Sequence, residues 1–183
     1  MAFELATVTA YIAGLTIAGR NGAGVLKAVT INDWADFREE VDASQCPVLQ
    51  PDVTAQVTLE AAARDSFGGM GTAKQTLIYT VPYVLLIEPA VGARAYYEVF
   101  PNLVYTLSRV VSALMVNDTP SDMTVDLQVA SVTFGQTVND QNGNPFHGAS
   151  IAVRVTEYVD PLTDNVLTLL NDPLTLNGVM LTP

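Results

Sequence analysis

The chain has 183 residues, of which 49% are hydrophobic and only 15% charged, against about 25% charged in an average soluble protein. Its 8 basic and 19 acidic residues give a formal charge of −11. That balance argues against a nucleic-acid-gripping module, whose affinity comes from Lys and Arg displacing counterions. The single cysteine, Cys46, excludes an intramolecular disulfide, and one histidine beside it gives no zinc set.

The length fits one domain with most of its apolar surface buried. So small a supply of charge predicts that partner chains cover part of the surface. Residues 3–18 are apolar, but Glu4, the absence of early Lys or Arg, and Thr7, Thr9 and Thr16 argue against a signal peptide or membrane span. A soluble protein that is not exported is expected.

In chain order, Val8, Tyr11, Ile12 and Leu15 stand at helical spacing within residues 4–17. The run Gly19 to Gly24 ends that helix and leads to a strand over 25–31. A short helix capped by Asn32 or Asp33 is expected to carry Trp34, Phe37 and Val41, followed by an extended run over 44–49. From Val53 to Ala63 apolar and polar residues alternate, which predicts a strand whose dry face includes Val57 and Leu59.

The strand predicted over 76–87 is apolar on both faces, so both are expected to be covered. Its Pro82 suggests an edge position or a bulge. Pro101 fits the first position of a helix over 101–116. There Leu103, Leu107, Val110, Val111 and Leu114 form a stripe that Val104, Met115 and Val116 widen. Only Asn102, Thr106 and Arg109 read as wet. A closing hairpin pairs 124–138 with 148–159, and the change of phase at Val129–Ser131 predicts a β-bulge. The fold class is therefore α+β: a mostly antiparallel sheet with a long amphipathic helix on one face, an N-terminal helix and an extended C-terminal arm. Residues 1–159 form the domain. Residues 160–183 form the arm, whose leucines set it apart from a disordered tail.

Chemistry is sparse. The segment Gly68–Lys74 lacks the adjacent Gly-Lys and the following helix of a phosphate loop, so a hairpin loop is expected. Gly19–Gly24 follows a helix and has the wrong glycine spacing for dinucleotides. Asp140, Asn142 and Asn144 echo a calcium loop, but Ile151 stands where a glutamate should close it. The lone His147 sits at a strand start with no nucleophile pattern beside it. The pairs Asp118/Asp122 and Glu39/Glu40/Asp42 read as solvated carboxylates. No enzyme, cofactor or metal site is expected.

The pieces "TLIYTVPYVLLIEP", "FPNLVYTLSRVVSALM" and "FHGASIAVRVTEY", in this order of elements over 53–159, resemble the tail terminators of long-tailed bacteriophages, also called tail-completion proteins. The resemblance implies a ring, usually of six copies, on the head-proximal end of a tail tube. Such a ring stops tube growth, meets the head–tail connector and lets DNA pass through its lumen without specific binding. It implies a virion protein of the tail near the neck, assembled in the host cytoplasm, with no membrane partner. An acidic lumen would keep DNA sliding. Phe67 and Met70 are the candidate contacts to the tail tube protein. Leu162, Leu167, Leu170 and Leu174 are the candidates for clasping a neighbouring subunit or the connector. The alternatives are a tail tube subunit or other neck protein and, from another class, a small-molecule-binding domain or enzyme.

Overall fold

The computed structural model describes residues 5–34, 41–52, 55–64, 75–87, 96–115, 125–139, 145–159, 175–176 and 179–180. In chain order the elements are α1 (Leu5–Ala13), β1 (Ala18–Arg20), β2 (Leu26–Ala28), β3 (Thr30–Ile31), β4 (Val48–Pro51), β5 (Thr58–Arg64) and β6 (Gln75–Ile87). Then come α2 (Tyr96–Leu114), β7 (Val125–Asn139), β8 (Pro145–Val159), β9 (Thr175–Leu176) and β10 (Val179–Met180). Six strands form one sheet in the order β3-β4-β6-β8-β7, with β5 also paired to β6. Every pairing in it is antiparallel except β3 with β4. The short strands β1 and β2 form a separate hairpin. This is an α+β fold with a long helix packed on a mostly antiparallel sheet.

Alternation explains which face is dry. Leu77, Tyr79, Val81, Tyr83, Leu85 and Ile87 of β6 project to one side with Ala149, Ile151, Val153 and Val155 of β8. Val99, Leu103, Leu107, Val110 and Leu114 of α2 and Val8 and Ile12 of α1 close the same core. Among the described residues the opposite side has one apolar cluster, at one end, where Val41 and Cys46 pack with Val48, Val84, Leu86 and Phe146. Beyond that end, Thr76, Ile78 and Thr80 of β6 are half-buried. Among the described residues, the double coverage expected of β6 is seen in its C-terminal half.

Several expectations are corrected. Strand β6 is interior rather than an edge: β8 pairs along its whole length, while β4 and β5 share its other side. Pro82 falls in the gap between those two partners, beside the pairs Pro51↔Tyr83 and Thr58↔Thr80. Its carbonyl accepts from the Asp52 amide at 2.9 Å on that side. The N–H that proline lacks would point the same way, into a stretch with no ladder pair among the described residues.

Helix α2 begins at Tyr96, so Pro101 is its sixth residue and not its first. Pro101 is exposed, which leaves water able to serve the turn that lacks a donor. Thr106, read as wet, is fully buried. The β1–β2 hairpin covers that side of the helix, so no neighbouring subunit is needed there. Leu59, read as dry, is 58% exposed: it lies opposite core-facing Tyr79, but on the strand at the sheet's edge. The run Gly19–Gly24 begins in a strand: Gly19 and Arg20 belong to β1, and the expected 25–31 strand divides into β2 and β3. Residues 43–45 form a 3-10 turn rather than extended chain.

The bulge predicted near Val129 is present as a register shift between Val129 and Ser131. A second shift lies between Phe134 and Gln136, at Gly135, whose φ is +100°. Most of the short helix expected to carry Trp34, Phe37 and Val41, the Asp140–Asn144 turn and most of the C-terminal arm lie outside the described residues. Of the arm, only the short β9–β10 pair is described.

Candidate assembly surface

The sheet ends in two long edges. Strand β7 runs parallel to β6 across their shared neighbour β8, whereas β5 runs antiparallel to β6. The edges therefore have opposite sense, and among the described residues no strand pairs with the outer side of either. Each edge exposes one large apolar side chain, Leu59 at 58% and Phe134 at 43%. Their register partners are Tyr79 and Ala149, so both belong to the helix-bearing face. An exposed edge is ready to accept another strand; the two bulges in β7 twist it and limit that tendency.

Helix α2 has two flanks. On the β7 side its Phe100 meets Phe134, with ring centroids 5.2 Å apart and planes tilted by 59°. On the other side the β1–β2 hairpin is fastened by side chains. Thr106 Oγ1 accepts from the Arg20 amide at 2.8 Å and donates to the Arg20 carbonyl at 3.0 Å. Asn102 Nδ2 donates to the Gly22 carbonyl at 3.1 Å. Gly19 is required at this contact, because a Cβ there would lie 2.6 Å from Thr106 Cγ2. Val104 and Met115 of this helix and its last turn are 39% and 52% exposed.

The hairpin flank also gathers positive charge. The Arg20 guanidinium lies 4.3 Å from the centroid of the Tyr105 ring, and that of Arg109 lies 5.9 Å from the same centroid. Both are within cation–π range. Leu26, paired with Arg20 across the hairpin, is 66% exposed, and Val25 is 60% exposed. Lys27 reaches from β2 to the Ser44 carbonyl.

The sheet's other face carries a polar cluster. Arg154 Nε lies 3.0 Å from Glu60 Oε2, and Thr80 donates to the other oxygen of Glu60. Hydrogen bonds from Ser44 hold the exposed Asp42 carboxyl below its usual range. His147 is the third residue of β8, opposite Ile87 and Thr137, and partial burial pushes its imidazole below the usual histidine range. Burial, then the charge of Asp33, raises the Tyr83 hydroxyl well above the usual phenol range. Among the described residues no group of His, Cys, Asp and Glu is arranged to hold a metal ion, and no helix is long and apolar enough to cross a membrane.

The anticipated contact residues Phe67, Met70, Leu162, Leu167, Leu170 and Leu174 all lie outside the described residues. Sequence reading missed the cluster of Leu26, Arg20, Tyr105 and Arg109. Its one available signal was the adjacent apolar pair Val25-Leu26 just after a glycine-rich turn, where a polar tip is the norm. The chain matches no protein-family model and no curated protein.

Proposed function

We propose that this chain is a structural virion protein that closes a ring at the head-proximal end of a phage tail tube. There it stops tube growth and joins the tail to the head connector. The observation that carries the reading is the pair of edges of opposite sense, β5 and β7, whose outer sides pair with no strand among the described residues and which each expose an apolar residue on the same face. Two different edges on one subunit suit head-to-tail contacts between copies, and such heterologous contacts generate rings when the rotation closes. The charge of −11 suits a passage that DNA crosses without being held.

Light scattering across a wide concentration range, followed by imaging with tail tubes, tests the reading. A discrete species near six times 19.5 kDa, about 117 kDa, that sits on tube ends supports it. Open filaments of the pure protein would move the assignment to a tube subunit. Failure to cap tubes would reject the terminator role.

A further inference from the structure

We propose that the C-terminal arm, residues 160–183, docks on its own chain's ledge of Arg20, Leu26, Tyr105 and Arg109, with its carboxylates on the arginines and its leucines on Leu26. The proposal is independent of the ring reading, which uses the edges β5 and β7.

The first support is charge. Neither Arg20 nor Arg109 makes an ion pair with a described residue. Both guanidinium groups are nevertheless gathered beside the Tyr105 ring, 4.3 and 5.9 Å from its centroid. Acidic residues outnumber basic ones 19 to 8 in this chain, so two arginines left together without a carboxylate are conspicuous. The Arg20 Nε is buried with no hydrogen-bond partner among the described residues. Thr106 holds both backbone groups of Arg20, so the ledge is fixed before any anion meets it, which lowers the ordering cost of binding.

The second support is the make-up of the arm. It carries Asp160, Asp164 and Asp172, no Lys or Arg, and a run of apolar residues that includes Leu162, Leu167, Leu170 and Leu174. No other segment outside the described residues has three acidic residues without Lys or Arg. The ledge offers the complement to both features. Leu26, 66% exposed, is the cross-strand partner of Arg20, and such partners share one face of a hairpin. Apolar and cationic surface therefore adjoin. A nucleic-acid backbone would use the arginines alone, whereas an acidic, leucine-rich segment uses both.

The third support is reach. Strand β8 ends at Val159, has 15 residues and spans about 50 Å. The stretch 160–174, equally long, can extend as far, so the arm can cross its own subunit from one end to the other. Tethering then supplies an effective concentration on the order of millimolar, at which a few exposed charge pairs and leucine contacts suffice.

Photocrosslinking in the full chain tests this. One variant carries p-benzoylphenylalanine in place of Leu26, and a control carries it in place of Phe134, on the far flank of α2; circular dichroism verifies that each folds. The expected result is a crosslink from position 26 into residues 160–183, formed within one copy when isotope-labelled and unlabelled chains are mixed. Adding Asp160→Lys, Asp164→Lys and Asp172→Lys should lower its yield about fivefold. Equal arm crosslinking from position 134, a product that maps elsewhere, or a yield indifferent to the three reversals would overturn the proposal. Crosslinks only between labelled and unlabelled copies would overturn it in favour of a clasp on a neighbouring chain. Binding of a fluorescent DNA duplex by the wild type, lost in Arg109→Glu, would reassign the ledge to phosphate and also overturn it.

Discussion

Thr106 and Arg20, 86 positions apart, are joined by a single hydroxyl that serves both backbone groups of the arginine, at 2.8 and 3.0 Å. Thr106→Val keeps the shape and removes both bonds. It should destabilise the fold by about 1–3 kcal/mol, the cost of leaving largely buried polar groups unpaired. Chemical denaturation measures it, and Thr106→Ser should retain most of the stability.

The same contact predicts a coupled pair. Gly19→Ala sets a Cβ 2.6 Å from Thr106 Cγ2 and 3.0 Å from Val29 Cγ2, an overpacking expected to cost about 1–3 kcal/mol. Thr106→Ser removes that Cγ2. A double-mutant cycle should therefore show a positive coupling of at least ~0.5 kcal/mol; simple additivity would contradict the packing described.

Gly135 offers a contrast, because a Cβ there would meet nothing within 4 Å while φ is +100°. Gly135→Ala should cost about 1–2 kcal/mol through backbone strain alone. No second-site reduction in side-chain volume should recover it, and thermal denaturation of the single and combined variants is the check.

Pro82→Val is expected to change stability by less than ~1 kcal/mol, although the position is interior to the sheet. The new N–H would enter the gap between β4 and β5, where Asp52 already takes the neighbouring carbonyl. A loss of several kcal/mol in urea melts would mean that the gap does not exist.

His147 predicts the shape of the acid limb. Its folded pKa lies below the unfolded value of 6.5 because burial disfavours the imidazolium. The unfolded chain then binds more protons, so the contribution is present above that value and is lost as pH falls through and below it. Stability of His147→Gln, measured against pH, should lose this part of the slope; an unchanged slope would refute the assignment.

The sequence made the fold's long elements readable because each carries a clean period. Val8 and Ile12, the alternating residues of 77–87 and of 149–155, and the α2 stripe all appear in the core. The bulge at Ala130 was readable from a change of phase that only an extra residue produces. What failed was tertiary in origin. Thr106 looks wet on any helical wheel, and only the hairpin that returns from residues 18–28 makes it dry. Leu59 looks dry by alternation, but alternation says nothing about whether anything covers the dry side of an edge. Arg20, Tyr105 and Arg109 meet across a long loop in sequence, and no local pattern announces a side chain folded back over a ring.

The shared edge of β6 has a consequence for cooperativity. Its two partners on that side are not continuous: β4 holds residues 83–86 and β5 holds residues 75–80. Opening β5 breaks no hydrogen bond of β4, so the ladder can unzip in two separate steps. Amide exchange should accordingly be faster across 58–64 than across 48–51, whose side chains are buried. The subunit would then have a rigid end and a compliant one. In the proposed ring, the compliant end would be the one to adjust to curvature without loosening the core.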